Sequence, residues 1–174
     1  MRVSLMHVGV AAAGAAIMAA TLLLAVGWYH RAAVEAPLAK AAGIPGLAHT
    51  ALGPPGQTGL TITLAPGADV ARVYPAVEAA ARGAVGHPVP IAVQDNATAR
   101  ERALWANLQF VVATGTATGQ YVAMQRTLVA DARTAHLHLA LALGSAHLYV
   151  TMADGRGHRL IRVVPLPKGG AARA

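Results

Sequence analysis

Apolar and polar positions along this chain follow several distinct periods, and each period predicts a different element. From Leu5 to Tyr29 there is no Asp, Glu, Lys or Arg, and the run closes on Trp28-Tyr29-His30-Arg31. A helix of that length, rising ~1.5 Å per residue, spans the ~30 Å hydrocarbon core of a bilayer. Trp28 and Tyr29 stand where an aromatic belt meets headgroups, with Arg31 as the interfacial anchor. Residues 1–30 are therefore expected to be a transmembrane signal anchor. The competing reading is a cleaved signal peptide. Its apolar core would be shorter (~7–15 residues) and followed by small residues, where this chain has Trp28, Tyr29 and His30.

Residues 31–57 lose any apolar period and collect Gly and Pro, in Gly43-Ile44-Pro45-Gly46 and Gly53-Pro54-Pro55-Gly56. That density predicts a linker. Residues 166–174, with Gly169-Gly170, read as a disordered tail. Between them residues 58–165 are long enough for one small core.

Within that span the periods alternate. Leu60, Ile62 and Leu64 alternate with threonines, predicting a half-buried strand. Val73, Val77, Ala80, Ala81 and Ala84 then follow a helical spacing; Pro75 either begins the regular helix or lies inside one capped by Asp69. Val89, Ile91 and Val93 form a second strand, expected to run parallel to the first through a right-handed crossover. Thr98-Ala99-Arg100-Glu101 has the form of a capping box.

The box opens a long seam. Leu104, Leu108, Val111, Gly115, Thr118, Val122, Gln125 and Val129 keep spacings of four and three, as in a heptad repeat. The middle, Thr114 to Gln120, is small and polar. One long helix could pack closely at its glycines, or two helices could meet there in a turn. The unbroken phase favours a single helix over 98–135. Leu104, Leu108, Val111, Gly115, Gly119 and Val122 are then the expected interaction surface, for a protein partner or a second copy.

The last third alternates strictly: Leu137 to Leu143, then Leu148, Val150 and Met152, then Ile161 and Val163. Requiring the apolar faces to coincide places Leu143 opposite Leu148 and Leu139 opposite Met152. The expected fold is α/β (α+β): the transmembrane helix, then one small mixed-sheet domain ordered β-α-β-α-β-β-β, with helices on one face.

Composition narrows the chemistry. The chain has no cysteine, which removes disulfides, thiolate metal sites and lipoprotein attachment. No phosphate-binding Gly-rich loop, HExxH or G-x-S-x-G motif is present. Of the 7 carboxylates all but Glu35 fall in the domain, and no pair is placed for acid–base work. No catalytic residue and no cofactor is expected. His136 and His138 would share a strand face, with Asp154 and His158 at the same end, making a candidate zinc or copper site. The formal net charge is +7, yet the arginines are scattered and no aromatics interleave with them, which argues against nucleic acid. Arg156, Arg159 and Arg162 form the local basic patch, suited to anionic lipid or wall polymer beside a membrane.

Together these features suggest a single-pass protein of the cytoplasmic membrane, with a non-enzymatic interaction domain outside the cytoplasm. The layout is common among bacterial envelope assembly subunits. The alternative is a divergent enzyme or metal-binding protein using the His136/His138/His158 face.

Overall fold

The structure, a computed structural model, describes residues 41–52 and 59–167 together with Thr21 and Ala39. The expected anchor, including Trp28, Tyr29 and Arg31, otherwise lies outside the described residues. Among the described residues no helix is long and apolar enough to cross a membrane.

The first sheet has three strands, β1 (Leu47–Leu52), β2 (Leu60–Leu64) and β3 (Ile91–Gln94), in the order β1-β2-β3. β1 falls within the segment expected to be a linker. It pairs antiparallel with β2, Thr50 opposite Ile62 and Leu52 opposite Leu60. β2 and β3 are parallel, as expected, with Leu60 opposite Ile91. The helix α1 (Val70–Val85) connects them. Asp69 caps it by accepting a hydrogen bond from the Ala71 N–H (2.9 Å), and Pro75 is carried inside the helix on its exposed side.

The single helix expected over 98–135 is instead a hairpin of α2 (Ala99–Thr118) and α3 (Tyr121–Thr134). Gly119 ends α2 in the left-handed region at φ 72°, which glycine enters without steric cost and which makes it the usual helix-terminating residue. The expected seam follows the buried face only in α2; α3 buries Met124, Leu128 and Ala132 instead, and leaves Val122 and Gln125 exposed. Gly115 does lie at a close contact: a Cβ there would stand 2.7 Å from Met124 Cβ across the hairpin. The capping box forms as expected, Thr98 N–H donating to Glu101 Oε2 (2.6 Å) and Glu101 N–H to Thr98 Oγ1 (3.4 Å).

The second sheet is an antiparallel meander of β4 (His138–Leu143), β5 (His147–Ala153) and β6 (Arg159–Pro165). Leu143 faces Leu148 and Leu139 faces Met152, the register that apolar matching requires. Leu148, Val150, Met152 and Leu160 pack with Leu108, Val112, Met124 and Leu128 of the helix hairpin. Tyr149 and Ile161, of opposite parity, pack with Val73, Tyr74 and Val77 of α1 and with β2. Helices therefore cover both faces of this sheet rather than one, and β5 is the strand buried on both sides. Leu166, expected in the tail, packs at the hairpin core and donates to the Ala146 carbonyl (2.8 Å).

The single mixed sheet expected from the sequence is instead two three-stranded sheets, which meet at β3 and β6 through side chains because β3 ends before any backbone pairing with β6 forms. Asn96 accepts from the Arg159 N–H (2.9 Å) and donates to the Gly157 carbonyl (3.2 Å). Asp95 accepts from the Ile161 N–H (3.4 Å) and pairs with the Arg162 guanidinium.

α3 ends in a Schellman motif: Leu137 N–H donates to Ala132 O and His136 N–H to Arg133 O (both 2.9 Å). His136 occupies the glycine position at φ 51°. His136→Gly should raise stability by about 1 kcal/mol, since a non-glycine residue pays roughly 1–2 kcal/mol there. Gly115→Ala should lower it by about 1–3 kcal/mol through overpacking. Urea unfolding midpoints of the two variants must move in opposite directions.

Candidate functional site

A cleft of about 560 Å³ opens where the carboxyl ends of β2 and β3 face the start of β6. Open α/β units hold ligands in this position, outside the carboxyl ends of parallel strands. It exists here because β3 stops at Gln94 and the chain turns Asp95 and Asn96 toward β6 instead of zipping the sheets together. Thr63 and Gln94 come from the paired strand ends, Thr63 Oγ1 donating to Gln94 Oε1 (3.1 Å). His158 and Arg159 come from the opposite wall, and Leu64, Pro66 and Ala153 supply apolar surface.

Arg159 reaches across the cleft. Its Nη2 donates to the Ala65 carbonyl (3.2 Å) and, more weakly, to the Leu64 carbonyl (3.4 Å), tying β6 to the end of β2. Asp154 organises the turn before β6, its Oδ1 accepting from the Arg156 and His158 N–H groups (both 2.9 Å). Its Oδ2 pairs with His158 Nδ1 at 2.9 Å. That bond from His158 is the main reason the Asp154 carboxyl titrates below its ordinary value, with the backbone donors adding to it.

The candidate metal set is not brought together. His136 is in the helix-terminating turn rather than on the strand, because α3 needs a left-handed residue there. The shared strand face expected for His136 and His138 is therefore absent. His138 is opposite Ala153, as the expected register has it, and exposed. Only Asp154 and His158 are bonded to each other. Among the described residues, no group of three His, Asp or Glu side chains could hold a metal ion.

The basic patch is also divided. Arg162 is paired with Asp95, Arg159 is partly committed to the Leu64 and Ala65 carbonyls, and Arg156 is exposed. Of the expected interaction residues, Leu108 and Gly115 are buried and Leu104 and Val111 are half-buried against the hairpin core. Gly119 is exposed in the turn, and Val122 is 70% exposed.

A second polar group was not legible in sequence. Tyr74 of α1 and Tyr149 of β5 meet at 6.0 Å between ring centroids, with His147 5.2 Å from Tyr74. Burial first, then the Glu78 charge, raises the Tyr74 phenol; burial, then Tyr74 and Glu78, raises that of Tyr149. Both stay protonated at neutral pH and serve as packing rather than as acid–base groups. Residues 75 positions apart in the chain meet here only through the fold, so no local pattern announced them. Gln94 and Asn96, the polar side chains that shape the cleft, were missed for the same reason.

Compared with family models, curated proteins and solved structures, the chain matches none of them.

Asp154 gives the site a pH signature. Its folded pKa is depressed below the ordinary 3.8, so its stabilising contribution is present above that value. It is lost as pH falls through the lower folded value. Asp154→Asn should therefore be less stable than wild type at neutral pH, and the gap should close as pH drops below 3.8. Urea midpoints measured over that pH series check it; a gap independent of pH overturns the assignment.

Proposed function

We propose that the chain is a single-pass protein of the bacterial cell envelope, held in the cytoplasmic membrane by residues 5–29. Its α/β domain lies outside the cytoplasm and acts as a non-enzymatic interaction or assembly module. The charge-free run Leu5–Tyr29 supports the anchor.

The observation that carries the interaction reading is the outer edge of β4. Gly144 N–H donates to the His147 carbonyl at 2.8 Å. The alternation of an antiparallel ladder then turns the N–H and C=O groups of Leu139, Leu141 and Leu143 away from β5. Among the described residues no strand pairs with that edge. Its sequence, His-Leu-Ala-Leu-Ala-Leu, contains no charge and no proline, and Leu143 is 57% exposed. Proteins that avoid edge pairing place lysines, prolines or bulges at such a strand. An edge lacking them suits β-augmentation by a protein partner or by a second copy. Phe110, 70% exposed on α2, adds apolar surface elsewhere on the domain.

Ala140 is exposed on β4. Ala140→Lys should change folding stability by no more than about 0.5 kcal/mol, as surface substitutions do, while abolishing the association. Light scattering of the full-length protein in detergent, with cross-linking in membranes, reads this. A wild-type chain that stays monomeric and cross-links to nothing overturns the proposal.

A further inference from the structure

We infer that the cleft between β2, β3 and β6 binds a small phosphate ester, through the Gln94 amide and the Arg159 guanidinium. The inference is independent of the membrane and β4-edge readings, since it rests on the hydrogen-bond inventory of the cleft itself.

Every carboxylate or amide oxygen among the lining side chains already accepts a hydrogen bond. Gln94 Oε1 takes the Thr63 hydroxyl, Asn96 Oδ1 takes the Arg159 N–H, and Asp95 takes Ile161 N–H, Ala97 N–H and Arg162. Asp154, next to the lining residue Ala153, already accepts from His158 and from two backbone donors. The donors are not matched in this way. Among the described residues, Gln94 Nε2 and the Nε and Nη1 of Arg159 have no partner. His158 has its Nδ1 on Asp154 and its Nε2 unengaged, a further donor when the ring is protonated.

A site whose side-chain oxygens are used, and in which amide and guanidinium donors remain, favours an oxyanion. Guanidinium and amide donors form charge-assisted bonds to such groups, stronger than neutral ones. Gln94 closes β3 and Arg159 opens β6, so their donors reach a bound group from two walls of the cleft, which suits the several oxygens of a phosphate. The volume of about 560 Å³ falls in the range of small-molecule sites, which run to several hundred Å³. It therefore has room for the group that carries the phosphate, against Leu64, Pro66 and Ala153. Such phosphates come from soluble metabolites or from lipid headgroups and share this chemistry.

The test is calorimetric titration of the full-length protein in detergent with glycerol 3-phosphate, and separately with dihexanoyl phosphatidylglycerol and with acetate. Saturable binding of a phosphate probe, with acetate much weaker, is expected. Tighter binding of the monoester identifies a soluble source, and tighter binding of the diester a headgroup. Gln94→Glu puts a carboxylate among the donors and should weaken binding by about tenfold or more, an effect of roughly 1.4 kcal/mol. Its melting temperature should be unchanged, since Gln94 is exposed. Arg156→Ala, which removes an exposed charge outside the cleft lining, should leave the affinity within about twofold, as expected for a screened surface charge. No saturable binding, acetate binding as tight as phosphate, or equal losses in the two variants would overturn the site.

Discussion

The join between the two sheets is the constraint on which the rest of this structure depends. A four-residue strand, Ile91–Gln94, presents an edge to β6 but does not pair with it through backbone. Asp95 and Asn96 take over, offering side-chain oxygens to the Ile161 and Arg159 N–H groups. The replacement satisfies donors that would otherwise be exposed at the edge of β6. It also leaves a gap that continuous pairing would have closed. The pairing of Asp95 with Arg162 involves charge on both sides and belongs to the stronger class of hydrogen bond, while Arg159 adds longer contacts to the Leu64 and Ala65 carbonyls. Cleft and join are thus one feature: the residues that hold the sheets together are those that shape its walls.

The same join sets where the two cores lie. With β6 docked beside β3, the α1 face of the meander continues the apolar face of β2, so Tyr149 and Ile161 enter the cluster built on Ile62 and Val77. The opposite face is left for the α2–α3 hairpin. Strand β5 sits in the middle and is buried on both sides, which leaves β4 as the outer strand of its sheet. The buried Glu101 fits this plan. It closes α2 where the helix N-terminus favours a negative charge, with Oε2 bonded to Thr98 and Oε1 without a partner among the described residues.

What could be read from the sequence was local or had a strict period. The β4–β5 register was legible because one face of each strand had to be buried, and a slip by one residue would expose Leu139 and Leu141. The parallel β2–β3 pair and the Thr98 capping box follow from spacing alone. β1 was not legible: Leu47-Ala48-His49-Thr50-Ala51-Leu52 has no clean alternation, and pairing with β2 makes it a strand. The helix hairpin was concealed by a heptad spacing that runs on through the turn although α3 buries Met124 and Leu128 rather than Val122 and Gln125, and Gly119 was the signal that outweighed it. At His136 the strand period ran one turn too far, since a residue at the end of α3 needs a left-handed conformation whatever its side chain. The join was the least legible feature, because its bonds link residues more than sixty positions apart.

Charge shows most clearly how the fold redistributes what composition offers. A formal excess of seven positive charges suggests a uniformly basic surface, yet the arginines of the one local cluster have different fates. Arg162 is neutralised by Asp95, half-buried at the join. Arg159 keeps its charge but turns part of its guanidinium inward to carbonyls. Only Arg156 stands free as a solvated cation, where screening over about 10 Å limits what it can attract. Electrostatic selectivity in this domain therefore comes from the few donors left unpaired inside the cleft, where walls of Leu64, Pro66 and Ala153 exclude part of the solvent. Arg159, half-buried and tied to the Leu64 and Ala65 carbonyls, has its free donors held in direction, which favours a bound oxyanion over a passing counterion.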